Sequence, residues 1–111
     1  MSKQPAKQTG LPKYNHIFIT PHAYARYYDR VDAEAPKNEI TETIKEIVKH
    51  GEVIYTKRSG PHKEYVLKYN GLEILVEVQN AKATVITCYG YSDYAKWYRR
   101  QEYFTRRSYC A

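Results

Sequence analysis

The chain has 111 residues, with 18 Lys+Arg against 12 Asp+Glu and a formal charge of +6, a length that holds one core and excludes two. Its start lacks the apolar run of a secretory signal and charges interrupt every apolar stretch, LEILVEVQ included, so a cytoplasmic protein with no membrane partner is expected. Cys88 and Cys110 make neither a disulfide framework nor a zinc pattern, and the four histidines lack metal spacing, so no metal or cofactor is expected.

Charge placement divides the chain into three. Residues 1–13 carry Lys3, Lys7 and Lys13 with no acid, and read as a disordered basic arm. Residues 14–91 hold ten basic and ten acidic side chains, a neutral α+β core domain. Residues 92–111 carry Lys96, Arg99, Arg100, Arg106 and Arg107 against Asp93 and Glu102, a basic, Tyr-rich helix. A basic excess favours RNA or another polyanion as partner, though it also serves solubility.

Order begins near Tyr14. The stretch 16–19 is short and extended, and Thr20-Pro21 supplies a capping residue and a first-turn proline. A helix is predicted from 21 to 29–31, with Tyr24, Tyr27, Tyr28 and Val31 on one broad face and His22, Arg26 and Arg30 opposite. After a linker, Pro36 opens a second helix over 37–50, with Ile40, Ile44, Ile47 and Val48 as its apolar stripe and Gly51 as its stop. Strands then follow over 52–57, 63–69, 72–79 and 83–89. Asn70-Gly71 is a strong hairpin signal that pairs Tyr69 with Leu72, Leu67 with Ile74 and Tyr65 with Val76 on one side. The reverse side pairs Lys68 with Glu73 and Glu64 with Glu77. In the last strand, a two-residue turn at 80–81 would face Val85, Thr87 and Tyr89 to the core. A three-residue turn would face Thr84, Ile86 and Cys88 there instead. Ser92 can cap a third helix to about 107, with Tyr94, Trp97, Tyr98, Gln101 and Phe104 on one face. The predicted architecture is α+β: two N-terminal helices on a four-stranded antiparallel meander sheet, plus a C-terminal amphipathic helix.

Four features carry chemistry. His22, Arg26 and Arg30 stack an imidazole and two guanidiniums along about 12 Å of helix. They would supply a proton carrier and a phosphate clamp, the needs of RNA cleavage by the 2′-hydroxyl. The alternative is a solvated helix face with Asp29 beside it for salt bridging. The loop 58–63 gathers Arg58, His62 and Lys63, and His62 is a second proton-carrier candidate or part of an exposed connection. Thirteen Tyr stand against two Phe and one Trp, a bias that suits half-buried surfaces and base stacking alike. Lys96, Arg99, Arg100, Arg106 and Arg107 around Tyr103 make an RNA-binding stripe, or the polar side of a docked helix.

The run Thr20-Pro21-His22-Ala23-x-x-Arg26-x-x-x-Arg30 precedes an amphipathic helix ending at Gly51. Together with a last strand Val85-Ile86-Thr87-Cys88-Tyr89, it resembles small bacterial and phage domains of the barnase–EndoU–colicin–RelE type. The likeness is to the toxin-like subgroup with a T-x-H-A-x-x-R-x-x-x-R start, and it spans residues 19–90. The resemblance implies a metal-independent ribonuclease fold of two helices on a four-stranded sheet. It carries His22, Arg26 and Arg30 over as motif residues and places Thr87 or Tyr89 where final-strand active-site residues stand, with Thr87 positioning substrate. His62 has no counterpart, and the basic C-terminal helix and both tails are additional. The expected function is therefore endoribonuclease of toxin type, acting on RNA. The alternative is a non-catalytic phage or host-interaction protein that binds nucleic acid or an acidic protein, such as an antitoxin.

Overall fold

The computed structural model describes residues 10–60 and 62–92. In chain order they form β1 (His16–Ile19), α1 (Pro21–Arg30), α2 (Lys37–His50), β2 (Glu52–Ser59), β3 (His62–Tyr69), β4 (Leu72–Gln79) and β5 (Lys82–Tyr91). The predicted helix beyond Ser92 lies outside the described residues, as do positions 1–9 of the arm.

Both helices stand where cap chemistry and periodicity put them. Thr20 is the N-cap of α1 and its Oγ1 accepts from the Ala23 N–H at 3.1 Å, with Pro21 in the first turn. In α2, Ile40, Ile44, Ile47 and Val48 are the buried residues, one stripe of a 3.6-residue period. Glu39 in the first turn and Lys49 and His50 in the last complement the helix dipole. Gly51 ends α2 for a reason other than handedness. Its φ is −72°, but a Cβ there would lie 2.4 Å from the Ile47 carbonyl oxygen.

The sheet corrects the four-stranded expectation. It has five strands in the order β1-β5-β4-β3-β2, and β1 pairs with β5 in parallel, His16 opposite Lys82 through Ile19 opposite Val85. The meander β2-β3-β4-β5 is antiparallel as expected, and the register at Asn70-Gly71 is the predicted one. The fifth strand has a physical reason. β5 is ten residues long, and its outer edge would otherwise leave a row of backbone donors and acceptors unpaired. The four residues of β1 pair with the first half of that edge, and α1 then runs along the second half.

The β4–β5 turn has two residues, with Gln79 opposite Lys82 and positive φ at Asn80 and Ala81, 55° and 63°. Two register shifts follow in β5, at Ile86/Thr87 opposite Leu75 and at Tyr89/Gly90 before Glu73. Each bulge inserts a residue and resets the alternation. Neither simple turn model for this strand therefore holds throughout. Val85 and Cys88 face the helices, whereas Tyr89 and Ile86 belong to the opposite face.

The main core lies between the helices and one sheet face: Ala23 and Tyr27 of α1, the α2 stripe, and Leu67, Ile74, Val76, Val85 and Cys88. Leu11, within the basic arm of the sequence reading, packs against it together with Tyr14. The Asn15 N–H donates to the Ala81 carbonyl at 2.9 Å, fastening this strap where β1 begins. The other sheet face has its own cluster of Val66, Leu75 and Tyr89, flanked by Ile86.

Candidate functional site

The helix carrying His22 is fastened to β5 at both ends. At its start the Thr20 Oγ1 lies 3.0 Å from the Val85 and Ile86 carbonyl oxygens, donating its one proton between them. The Thr20 N–H also donates to Val85, at 3.2 Å. At its end the Arg30 guanidinium donates to the Cys88 carbonyl at 3.0 Å. Gly90 makes that approach possible. It has a φ of +92°, and a Cβ there would meet the Arg30 Cβ at 3.1 Å.

The predicted stripe is consequently not uniform. At about 100° per residue, each four-residue step advances roughly 40° around the helix. His22 is exposed, Arg26 is partly buried, and Arg30 lies closest to the Ala23/Tyr27 seam that meets the sheet. Arg26 pairs with Asp29 at 3.0 Å. Of the three, the imidazole is the most open to a ligand from solvent, and the Arg26 side chain next to it along the stripe stays 33% exposed. The first turn of α1 contains no acidic residue, so an approaching phosphate meets no like charge there.

The remaining candidates lie elsewhere. Thr87 is buried, on the sheet face opposite the helices, and its Oγ1 has no hydrogen-bond partner among the described residues. His62 begins β3, and its Nδ1 lies 2.9 Å from the Glu77 carboxylate. From the strand order and register, His62 lies three strands across and three to four residues along from the start of α1, roughly 18 Å away. It cannot share one phosphate with His22. The hairpin register could have revealed its partner, because position 62 lies diagonally across from Glu77 on the same face. That contact, with Lys57 opposite Glu64, offsets the unfavourable Glu64–Glu77 pair. A polar cavity of about 470 Å³ lies close by, lined by Glu77, Gln79, Asn80, Lys82 and Thr84, and no α1 residue lines it. Lys96, Arg99, Arg100, Tyr103, Arg106 and Arg107 lie outside the described residues.

Beneath α1, burial pushes the Cys88 thiol up to about 11, against the opposing pull of the Gly90 N–H and the Arg30 charge. Burial also raises Tyr27 and Tyr14. Cys88 is thus a core thiol with no thiolate to offer at neutral pH. Among the described residues, no three His, Cys, Asp or Glu side chains are grouped to hold a metal ion. None of the described helices is long and apolar enough to cross a membrane. No protein-family model, curated protein or solved structure matches the chain.

Proposed function

We propose that this protein is a metal-independent endoribonuclease of the toxin type, with His22 as its proton-transfer residue and Arg26 as its phosphate clamp. The observation that carries the reading is the double anchorage of α1 on β5, through Thr20 and Arg30, which holds an exposed imidazole on a rigid element. In the proposed reaction the neutral His22 imidazole takes the proton of an RNA 2′-hydroxyl. The 2′-oxygen bonds to phosphorus, the bond from phosphorus to the 5′-oxygen breaks, and water supplies the proton to that leaving oxygen. The products are a 2′,3′-cyclic phosphate and a 5′-hydroxyl. Arg26, turning from Asp29 toward the phosphate, would stabilise the charge gathered on it. Arg30 acts as a positioning residue, and Thr87 and His62 have no part in the reaction.

The test is incubation of the purified chain with total RNA in EDTA, beside His22→Ala. Cleavage that ends in cyclic phosphates and is lost in the variant supports the reading. Intact RNA in both samples removes the enzyme.

A second reading has its own support in the Arg26–Asp29 pair and in the distance of His62 from His22, which leave one imidazole where an acid and a base are wanted. In this reading the chain binds RNA or an acidic protein, such as an antitoxin or host protein, without turnover. Binding that weakens steeply with salt and leaves RNA intact, or co-purification of a small acidic protein, would favour it.

A further inference from the structure

The sheet face opposite the helices is buried, yet neither described helix lies on it. Val66 and Tyr89 are 0% exposed and Leu75 is 1% exposed. Their cluster contains no residue of α1 or α2, both of which pack on the other face. Glu64 and Glu73 are also buried on this face, and Glu77 stands beside them. The Thr87 hydroxyl is buried there too, without a partner among the described residues.

We propose that the chain's own C-terminal segment, residues 93–111, docks on this face as a third layer, with Trp97, Tyr98 and Phe104 against Val66, Leu75 and Tyr89. Four observations choose this occupant. The chain leaves β5 at the right place: the Ser92 N–H donates to the Gly71 carbonyl at 2.8 Å, and its hydroxyl to the Glu73 carboxylate at 3.0 Å. Glu73 belongs to the face in question. The length fits, because 19 residues make about 28 Å of helix, enough to cross five strands spaced about 4.8 Å apart. The pattern fits, because Tyr94, Trp97, Tyr98, Gln101 and Phe104 share one helical face. The charge fits, because five basic residues against two acidic ones approach a face where Glu52, Glu64, Glu73 and Glu77 outnumber Lys57, Lys68 and Lys82.

The other terminus fits poorly. Residues 1–9 offer Met1 as their one large apolar side chain. They join the described chain at Gly10, beside Val53, and Leu11 packs into the core on the helix side. The inference is independent of the ribonuclease reading. It assigns the aromatic side of the last segment to the sheet and leaves its arginines for solvent or a polyanion.

The chain's one tryptophan makes the test direct. In the full-length protein, Trp97 emission should be blue-shifted, and acrylamide quenching several-fold weaker than in the same chain unfolded in urea. Both should be independent of protein concentration. Leu75→Glu should shift the emission red and raise quenching toward the unfolded value, while Leu75→Met should not. If Leu75→Glu fails to fold, the quenching of the unmodified chain still decides. Full quenching of Trp97 in the folded protein overturns the proposal. Protection that appears only at concentrations where the chain dimerises overturns it equally, because a second copy would then cover the face.

Discussion

Replacing Thr20 by Ala removes one hydroxyl that serves two structures. Its oxygen caps α1 by accepting from the Ala23 N–H at 3.1 Å, and its proton is shared between two β5 carbonyls at 3.0 Å. Losing an N-cap costs about 1 kcal/mol, and losing one intramolecular hydrogen bond costs about another. The Val85 carbonyl keeps the Thr20 N–H, and the Ile86 carbonyl, on a partly exposed residue, can turn to water. The sum therefore stays near 2 kcal/mol, a fall in Tm on the order of 10 °C for a domain of this size. Urea unfolding followed by far-UV circular dichroism reads the change directly. Thr20→Ser keeps the hydroxyl and should recover most of the loss. A Thr20→Ala loss below about 0.5 kcal/mol, or a Thr20→Ser loss as large as that of Ala, would refute the double anchorage. The helix carrying His22 would then be held mainly by its Ala23/Tyr27 seam.

Other positions test other parts of the fold. Ala81 holds a φ of 63° in the β4–β5 turn, a left-handed conformation that costs a non-glycine residue about 1–2 kcal/mol, part of which the greater unfolded-state freedom of glycine takes back. Ala81→Gly should accordingly raise stability by about 0.5–1 kcal/mol in thermal unfolding. Gly90→Ala should lose about 2 kcal/mol by the same assay, since it adds a Cβ at positive φ against Arg30. Cys88 makes the fold alkali-sensitive. Its folded pKa is raised from 9.0 to about 11, so its contribution is complete below pH 9 and is lost as pH rises through 11. The loss amounts to about 3 kcal/mol. Urea unfolding at pH 8 and pH 11 should show a drop that Cys88→Ala reduces by about 2 kcal/mol, because the folded thiol is only half ionised at the higher pH. His62→Ala should leave any RNA cleavage within about two-fold of the unmodified chain, well short of the usual loss of a general acid or base.

Local rules account for much of what was legible. The Asn70-Gly71 turn set the β3–β4 register, and the isoleucine spacing with Gly51 set α2, because both depend on neighbours a few residues away. The β1–β5 pairing joins positions about 66 apart, and four extended residues carry no signal of which edge they will join. A glycine, Gly90, stands at one of the two bulges in β5, but the bulge at Ile86/Thr87 has no glycine to mark it. That bulge alone moved Thr87 away from the side a two-residue turn would have given it. At the candidate site, the residue types of the α1 stripe were visible and their fates were not. The drift of that stripe around the helix sends Arg30 to a backbone carbonyl and leaves His22 outside. The Gly-Pro pair before His62 suggests a loop, whereas the strand pairing puts His62 near Glu77.

Single-turnover cleavage of one defined RNA in EDTA, by the unmodified chain and by His22→Ala, tests the central claim most directly. A general acid or base contributes about 10²–10⁴-fold. The rate should therefore fall by at least about 100-fold in the variant, with 2′,3′-cyclic phosphate at the new ends of the unmodified reaction. Equal rates from the two proteins, or no cleavage by either, would contradict it.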